Sequence, residues 1–107
     1  MQTATAIASL SALAQESRLA IFRLLVEAGP AGLSVGEIGA ELKVAPATLS
    51  FHLKELSHAG LVTPRQEGRF VFYSAAFERM NALIAYLTDN CCKGGRCETV
   101  PRARRCA

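Results

Sequence analysis

Three of the four cysteines, Cys91, Cys92 and Cys97, lie close together near the carboxyl end of this 107-residue chain. Adjacent cysteines are poorly suited to a disulfide core, but converging thiolates bind thiophilic ions better than they bind hard ones. Three sulfurs match the pyramidal coordination of As(III), whereas Zn(II) would require a fourth ligand. The spacing therefore predicts a soft-ion site with these three cysteines as its ligands.

The local sequence must bring the three sulfurs together. Adjacent residues of an ideal helix point about 100° apart, so Cys91 and Cys92 converge only if the last helix frays at its end. Gly94–Gly95 would supply a flexible return that brings Cys97 over. Cys106, the fourth cysteine, would complete a four-thiolate site for Zn(II), Cd(II) or Pb(II), but closing this further loop costs conformational entropy.

The composition is that of one small folded domain. Hydrophobic residues make up 50% of the chain and charged residues 20%, which allows a buried core and argues against disorder. No apolar run approaches the roughly 18 residues that a membrane helix needs, and the amino terminus lacks the basic segment of a secretory signal. We therefore expect a cytoplasmic protein without a membrane partner, in which cysteines serve as ligands or redox groups.

The net charge of +3 is unevenly distributed. Residues 93–107 carry five basic residues against one acidic residue, whereas residues 1–92 carry seven basic and eight acidic residues. We predict a folded body at 1–92 and a flexible, basic, cysteine-containing tail at 93–107. Since the body is not basic overall, any affinity for phosphate must come from locally placed cations, with the tail as a source of help.

Apolar residues recur at helical spacing through the first sixty residues. Ser34–Glu37 matches a capping box, which predicts that a helix begins there. Pro46 suits the first turn of the next helix, where its missing N–H does no harm. Leu49, Leu53 and Leu56 would form the buried stripe of that helix. The full pattern predicts helices at about 3–14, 17–28 and 34–43, and from 46 towards Gly60.

The pattern changes after residue 60. β-branched and aromatic residues dominate 61–63 and 70–73, and Gly68 lies between these runs, which predicts a β-hairpin. The order helix, helix, helix, helix, strand, strand, helix predicts a mainly α fold with a small β-hairpin (α+β), the winged helix-turn-helix. The last helix is predicted from about Ala75 to Asn90, with a heptad-like apolar seam of Phe77, Met80, Ile84, Leu87 and Cys91.

A winged helix-turn-helix presents its fourth helix to the major groove, with residues near the amino end of that helix closest to the base edges. Hydroxyl side chains there can bind bases or phosphates, a lysine further along suits phosphate, and arginines on the hairpin suit the DNA backbone or the minor groove. Each residue also has a structural interpretation: the hydroxyls favour a helix start, the arginines favour a hairpin tip, and His52 neighbours the buried stripe. The predicted DNA-binding residues are Ala47, Thr48, Ser50, Phe51, His52, Lys54, Arg65 and Arg69.

Three segments carry a resemblance to a known family. Residues 47–62 (ATLSFHLKELSHAGLV) resemble the recognition helix of the ArsR/SmtB family of bacterial metalloregulatory repressors, residues 13–22 resemble its second helix, and residues 68–74 its wing. The resemblance implies a homodimer, formed through the first and last helices, that binds an imperfect palindrome in double-stranded operator DNA. It also implies that inducer binding releases the DNA. The apolar seam of the last helix suits this dimer interface, although packing within one chain would produce the same pattern.

The resemblance also bears on the inducer site. Arsenic-sensing members of that family often carry Cys-Val-Cys at the start of the third helix, where this chain has Ser34 and Gly36. Zinc-sensing members use Asp and His pairs on the last helix, where this chain has only Asp89 and no His. Other members place their arsenic ligands at the carboxyl end, as an adjacent cysteine pair with a third nearby, and this chain resembles that subtype. We therefore predict As(III) as the inducer, with Sb(III) as an alternative, and no organic cofactor.

Other functions fit parts of the pattern. A repressor of the same fold could respond to Cd(II), Pb(II) or Zn(II), or to oxidation through a disulfide between Cys91 or Cys92 and Cys97. A metal-delivery module would use the cysteines without binding DNA. A small thiol oxidoreductase would need a nucleophilic cysteine in a formed pocket with an anion-binding loop, which the sequence lacks. We therefore predict an arsenite-responsive repressor that is not an enzyme.

Overall fold

The computed structural model describes residues 1–91, and the predicted tail at 93–107 lies outside them. The predicted winged helix-turn-helix is confirmed, and a two-residue strand that was not predicted precedes the third helix. The elements are α1 (Thr3–Leu13), α2 (Glu16–Ala28), β1 (Leu33–Ser34), α3 (Val35–Leu42), α4 (Pro46–His58), β2 (Val62–Glu67), β3 (Phe70–Ala75) and α5 (Phe77–Leu87).

A capping box determines where α3 begins. Ser34 Oγ accepts a hydrogen bond from the Glu37 N–H at 3.1 Å, and Glu37 Oε1 accepts one from the Ser34 N–H at 2.8 Å. The bond from the Ser34 backbone, and secondarily the Ser34 hydroxyl, hold the pKa of Glu37 below its ordinary value, because both favour the charged carboxylate. The predicted cap is therefore confirmed, and it satisfies backbone donors that a helix start leaves unpaired.

The hydrophobic core forms where α2, α3 and α4 meet the sheet. α4 turns Leu49, Leu53 and Leu56 inward, and each is at most 2% exposed, as the spacing predicted. Burying a side chain of this size stabilises a fold by about 1.5–3 kcal/mol. The stripe therefore fixes the rotation of α4 and decides which of its side chains face solvent. Other fully buried apolar side chains are Ile21, Leu25, Ile38 and Leu61.

The wing is the predicted hairpin of β2 and β3, which turns at Gly68 with φ +61°. β1 adds a third strand, so the antiparallel sheet has the order β1-β3-β2. Leu33 pairs with Tyr73, and Ser34 pairs with Phe72. Because α3 starts directly after β1, this pairing attaches the beginning of the helix-turn-helix to the base of the wing.

Gly32 should be the glycine least tolerant of substitution in the loop before β1. Its φ is +72°, and a Cβ at this position would overlap the carbonyl oxygen of Tyr73. Gly29, in the same loop, has φ +84° but no heavy atom within 4 Å of its Cβ position. A backbone with positive φ costs a non-glycine residue about 1–3 kcal/mol, and crowding in a packed region adds about 1–3 kcal/mol. Gly32→Ala should therefore lower the free energy of unfolding by both the strain and the crowding costs. Gly29→Ala should lower it by the strain cost alone.

Chemical denaturation of the two variants measures this difference as the free energy of unfolding. Equal losses for Gly32→Ala and Gly29→Ala would contradict the close approach of Gly32 to β3.

The last helix ends earlier than predicted. α5 stops at Leu87 rather than near Asn90. Thr88 Oγ1 donates a hydrogen bond to the Ile84 carbonyl at 2.8 Å, and Asn90 has the left-handed φ of +55°, which a continuing helix cannot contain. The Cys91 N–H then donates to the Thr88 carbonyl at 3.0 Å. Cys91 therefore lies in a turn beyond α5 and not on its apolar seam.

Large apolar side chains remain exposed on α1 and α5. The buried residues of α1 are small, Ala6, Ser9 and Ala12, whereas Ile7 and Leu10 are exposed and Leu13 packs partly against the core. The predicted seam of α5 divides: Phe77 and Met80 pack against the core, whereas its distal residues face solvent. No helix within residues 1–91 has the length and apolarity that a membrane crossing requires. The exposed residues, called here the α1/α5 face, are Ile7, Leu10, Ile84 and Leu87.

Candidate nucleic-acid interface and thiol site

The helix-turn-helix consists of α3, a tight turn and α4. Lys43, with φ +55°, ends α3 in the left-handed conformation, and Pro46 occupies the first turn of α4. The leucine stripe of α4 is buried, and the side chains on the opposite side of the helix are exposed. Five of the predicted DNA-binding residues lie exposed along α4: Ala47, Thr48, Ser50, Phe51 and Lys54.

The structure corrects the prediction for His52. This residue lies three positions after Leu49 and four before Leu56, so it shares their inward face. Its side chain is only 8% exposed, and Nδ1 has no hydrogen-bond partner among residues 1–91. The ring packs edge-on against Phe51, with the ring centroids 5.7 Å apart. His52 therefore supports α4 from within, and its ring does not reach the surface that would meet base edges.

The two wing arginines have different surroundings. Arg65 Nε donates to Glu67 Oε2 at 2.6 Å, its Nη2 donates to the Ala31 carbonyl at 3.2 Å, and its guanidinium lies 5.2 Å from the centroid of the Phe72 ring. These contacts hold Arg65 along the hairpin. Arg69 is exposed beside the turn at Gly68. The tip of the wing therefore presents Arg69, whereas Arg65 lies nearer the body with part of its charge offset.

An arginine on α5 connects that helix to the end of α4. Arg79 Nη1 donates to the Ala59 carbonyl at 3.2 Å, and its guanidinium lies against Gly60. The Ala76 N–H, at the start of α5, donates to the Leu61 carbonyl at 2.8 Å. Sequence reasoning missed Arg79, although a cation in the first turn of a helix opposes the helix dipole and so indicates another role. Through these bonds α5 and the carboxyl end of α4 are held together.

The other end of α5 is attached to α1. A hydrogen bond of 2.5 Å joins Tyr86 Oη and Thr3 Oγ1. The α1/α5 face lies on these two helices, with exposures of 41–58% for its four apolar residues. Leaving such side chains in water forgoes the free energy that their burial would supply. One helix, α5, therefore contacts α4 through its amino-terminal part and carries unburied apolar surface on its carboxyl-terminal part.

The predicted thiol site lies mostly outside the described residues. Cys91 is half-buried and its sulfur is disulfide-bonded. Cys92 and Cys97, the other two predicted ligands, and Cys106 lie beyond residue 91. Within residues 1–91, no three His, Cys, Asp or Glu side chains are placed to hold a metal ion. The three-cysteine site therefore stays a prediction.

The alternative sensing position on α3 has no thiol. Ser34 uses its hydroxyl as the cap of α3, and Gly36 is exposed in the first turn. Neither residue supplies a soft ligand, so any thiol-based sensing in this chain depends on its carboxyl end.

Comparisons with known proteins agree with the fold. Residues 13–65 match a family model described as a helix-turn-helix domain. The chain is 35% identical over 94 residues to the transcriptional activator HlyU of Vibrio cholerae, covering 88% of this chain and 84% of HlyU. It is 40% identical over 81 residues to a candidate arsenical resistance operon repressor, ArsR, of Halobacterium salinarum, covering 76% of this chain and 61% of that protein.

Solved structures give the same result. An ArsR-like transcriptional regulator from Rhodococcus has a TM-score of 0.70 and 28% identity, covering 78% of this chain and 76% of that one. Reduced HlyU from Vibrio cholerae has a TM-score of 0.63 and 34% identity, covering 85% and 93%. The homodimeric winged helix-turn-helix domain Mb0332 from Mycobacterium bovis has a TM-score of 0.65 and 29% identity, covering 87% and 86%.

Proposed function

Because this chain belongs to the ArsR family of winged helix-turn-helix transcriptional regulators, we propose that it is an arsenite-responsive repressor whose metal-free dimer binds operator DNA. It is a DNA-binding regulator and not an enzyme. One observation carries the DNA-binding part: the buried leucine stripe of α4 leaves a continuous exposed face with hydroxyl, aromatic and basic side chains.

The α4 face enters the major groove. Thr48 and Ser50, near the amino end of the helix, contact base edges or phosphates, and Lys54 neutralises a phosphate further along. Arg69 at the wing tip contacts the backbone or the minor groove, and Arg65 contributes to the field along the hairpin. Since residues 1–92 carry no net positive charge, these few cations provide the local attraction for DNA.

The α1/α5 face forms the dimer interface. Its exposed apolar side chains and the homodimeric state of the similar domain Mb0332 support this assignment. A two-fold dimer places two recognition helices about 34–36 Å apart, the spacing of successive major grooves. Each dimer therefore binds one imperfect palindrome.

The inducer is As(III), bound by Cys91, Cys92 and Cys97 in the reduced chain, in which the disulfide of Cys91 has been opened. The soft character of three thiolates and the similarity to the ArsR protein of Halobacterium salinarum support this part of the proposal. The end of α5 at Leu87 also helps, because Cys91 lies outside that α-helix. Sb(III) would meet the same ligands.

The architecture of α5 offers a route from the thiols to the DNA. Arsenite binding changes the chain just beyond α5, next to the α1/α5 face. A shift of that face moves the two subunits relative to each other, and Arg79 transmits movement of α5 to the end of α4. The required coupling is modest, since about 1–3 kcal/mol corresponds to a roughly five- to 150-fold change in affinity.

Replacing Thr48 and Ser50 together with alanine tests the recognition surface. We expect a loss of about tenfold or more in affinity for the operator, since a good base contact contributes about 1–3 kcal/mol of discrimination. The salt dependence of binding should change little, because phosphate-neutralising cations are untouched. Ser57→Ala, at the other end of α4, is the matched control. Unchanged affinity, measured by fluorescence anisotropy, would show that α4 is not the reading element.

A second candidate is a thiol redox switch on the same repressor. The disulfide bond of Cys91 and the existence of a distinct reduced structure of HlyU favour it. In this case hydrogen peroxide oxidises two thiols to a disulfide and is itself reduced to two molecules of water. Release of operator DNA by peroxide but not by arsenite would identify this function. Release by Cd(II), Pb(II) or Zn(II) in place of arsenite would instead identify a four-ligand metal sensor.

A further inference from the structure

Phe51 occupies the centre of the exposed face of α4. Residues three and four apart on a helix share a face, so Phe51 lies beside Ala47, Thr48 and Lys54. Its side chain is 56% exposed. Single exposed apolar residues are common on protein surfaces, so exposure alone carries no conclusion. The ring lies between a hydroxyl and a cation on the surface that faces DNA in the proposed function. This position indicates that the ring contacts the DNA.

The Phe51 ring is supported from below. It meets the ring of His52 at an interplanar angle of 62°, in an edge-on contact that aromatic rings favour. His52 is buried, so it provides a fixed base for this contact. A side chain whose orientation is already restricted loses less conformational entropy on binding. The contact therefore prepares Phe51 to present its outer edge to a ligand.

The major groove offers one apolar group that such a ring can recognise. Each base pair presents a distinct set of donors and acceptors there, and thymine alone presents a C5-methyl group. Phe51 has no hydrogen-bonding group, so it cannot distinguish the other base edges directly. We propose that Phe51 contacts a thymine methyl group in each half-site and so specifies an A·T pair at that position. This inference rests on the proposed function, because it requires α4 to lie in the major groove.

Deoxyuridine substitution tests the proposal directly, since deoxyuridine keeps the pairing of thymine and lacks only the methyl group. A duplex is first selected by the wild-type protein from a random-sequence pool. Each thymine is then replaced by deoxyuridine, one position at a time, and affinity is measured by fluorescence anisotropy. We expect substitution of one thymine in each half-site to lower the affinity of the protein for the duplex about fourfold, which corresponds to the burial of a single methyl group.

Phe51→Ala identifies the protein side of the contact. In this variant, substitution at the same thymine should no longer change affinity, whereas Phe70→Ala should keep the full effect. Phe70 is the matched control because it is another exposed phenylalanine, 63% exposed on the wing. Phe51→Leu keeps an apolar side chain on α4, so it should retain part of the affinity loss caused by deoxyuridine. This variant replaces Phe51→Ala in the test if the alanine variant does not fold.

Failure of DNA binding and failure of the Phe51 contact give different outcomes. If no duplex is selected, the proposed DNA-binding function fails. If a duplex is bound but no thymine position responds to loss of its methyl group, the Phe51 inference fails while the function stands. A response that is equally large in the wild type and in Phe51→Ala or Phe51→Leu would assign the methyl contact to another residue and overturn the inference.

Discussion

Replacing Cys91, Cys92 or Cys97 singly with serine should abolish the release of operator DNA by arsenite. As(III) takes three thiolates, and a serine hydroxyl is a hard, protonated group that does not replace one. The roughly five- to 150-fold weakening of DNA binding expected on induction should therefore be lost in each variant. Affinity of the metal-free variants for DNA should stay near that of the wild type, because the cysteines follow α5 in the chain and are not among the predicted DNA-binding residues. Fluorescence anisotropy with and without arsenite measures both quantities.

Cys106→Ser is the matched control for these variants. It removes a thiol from the same carboxyl-terminal region, and we expect it to keep the full arsenite response. If its response were lost together with those of Cys91, Cys92 and Cys97, a four-thiolate site would replace the three-thiolate one. An intact response in any of the first three variants would remove that residue from the ligand set.

Replacing Leu87 or Ile84 with glutamate should dissociate the dimer and weaken operator binding by about 10²–10⁴-fold. A glutamate at the α1/α5 face would have to lose its hydration to fit an apolar interface, which is costly for an unpaired charge. A monomer would also lose the gain in effective concentration that links binding at the two half-sites. Analytical ultracentrifugation measures the first effect, and titration of a palindromic duplex measures the second.

Ala85→Glu supplies the control for the dimer variants. It places the same charge on an exposed position of α5, but away from Ile84 and Leu87 around the helix. We expect it to remain dimeric and to bind DNA as the wild type does. If Leu87→Glu and Ile84→Glu behaved like this control, the dimer would be formed by a different surface.

Much of the fold was predictable because it is encoded in local patterns. The stripe of Leu49, Leu53 and Leu56 predicted the buried face of α4, and each residue is buried. The Ser34–Glu37 capping box predicted the start of α3, and both of its hydrogen bonds are present. Gly68 predicted the turn of the wing, where a left-handed backbone is required.

The remaining features depend on contacts between distant residues. β1 consists of two residues and exists only because Leu33 and Ser34 pair with β3, some forty residues later. The contact of Arg79 with Ala59 likewise joins two elements that are separate in sequence. A local hydrophobic period carries no information about such pairings.

The candidate site likewise contains residues whose exposure local spacing predicted and residues whose placement it did not predict. Helical spacing correctly placed five of the predicted DNA-binding residues on the exposed side of α4, but His52 is buried because it shares the face of Leu49 and Leu56. The seam predicted through Cys91 was wrong because α5 ends at Leu87 and Asn90 has a left-handed backbone. Of the three predicted thiol ligands, only Cys91 lies among the described residues, and their convergence stays a prediction.

Arsenite titration of the protein–operator complex tests the central claim most directly. The reduced wild-type chain is kept in a phosphine reductant, which prevents disulfide formation without adding competing thiols, and DNA release is followed by fluorescence anisotropy. We predict release that saturates at one As(III) per subunit. An operator complex that persists through the arsenite titration but dissociates when hydrogen peroxide is added after removal of the phosphine would contradict an arsenite-responsive repressor and establish a redox-controlled one.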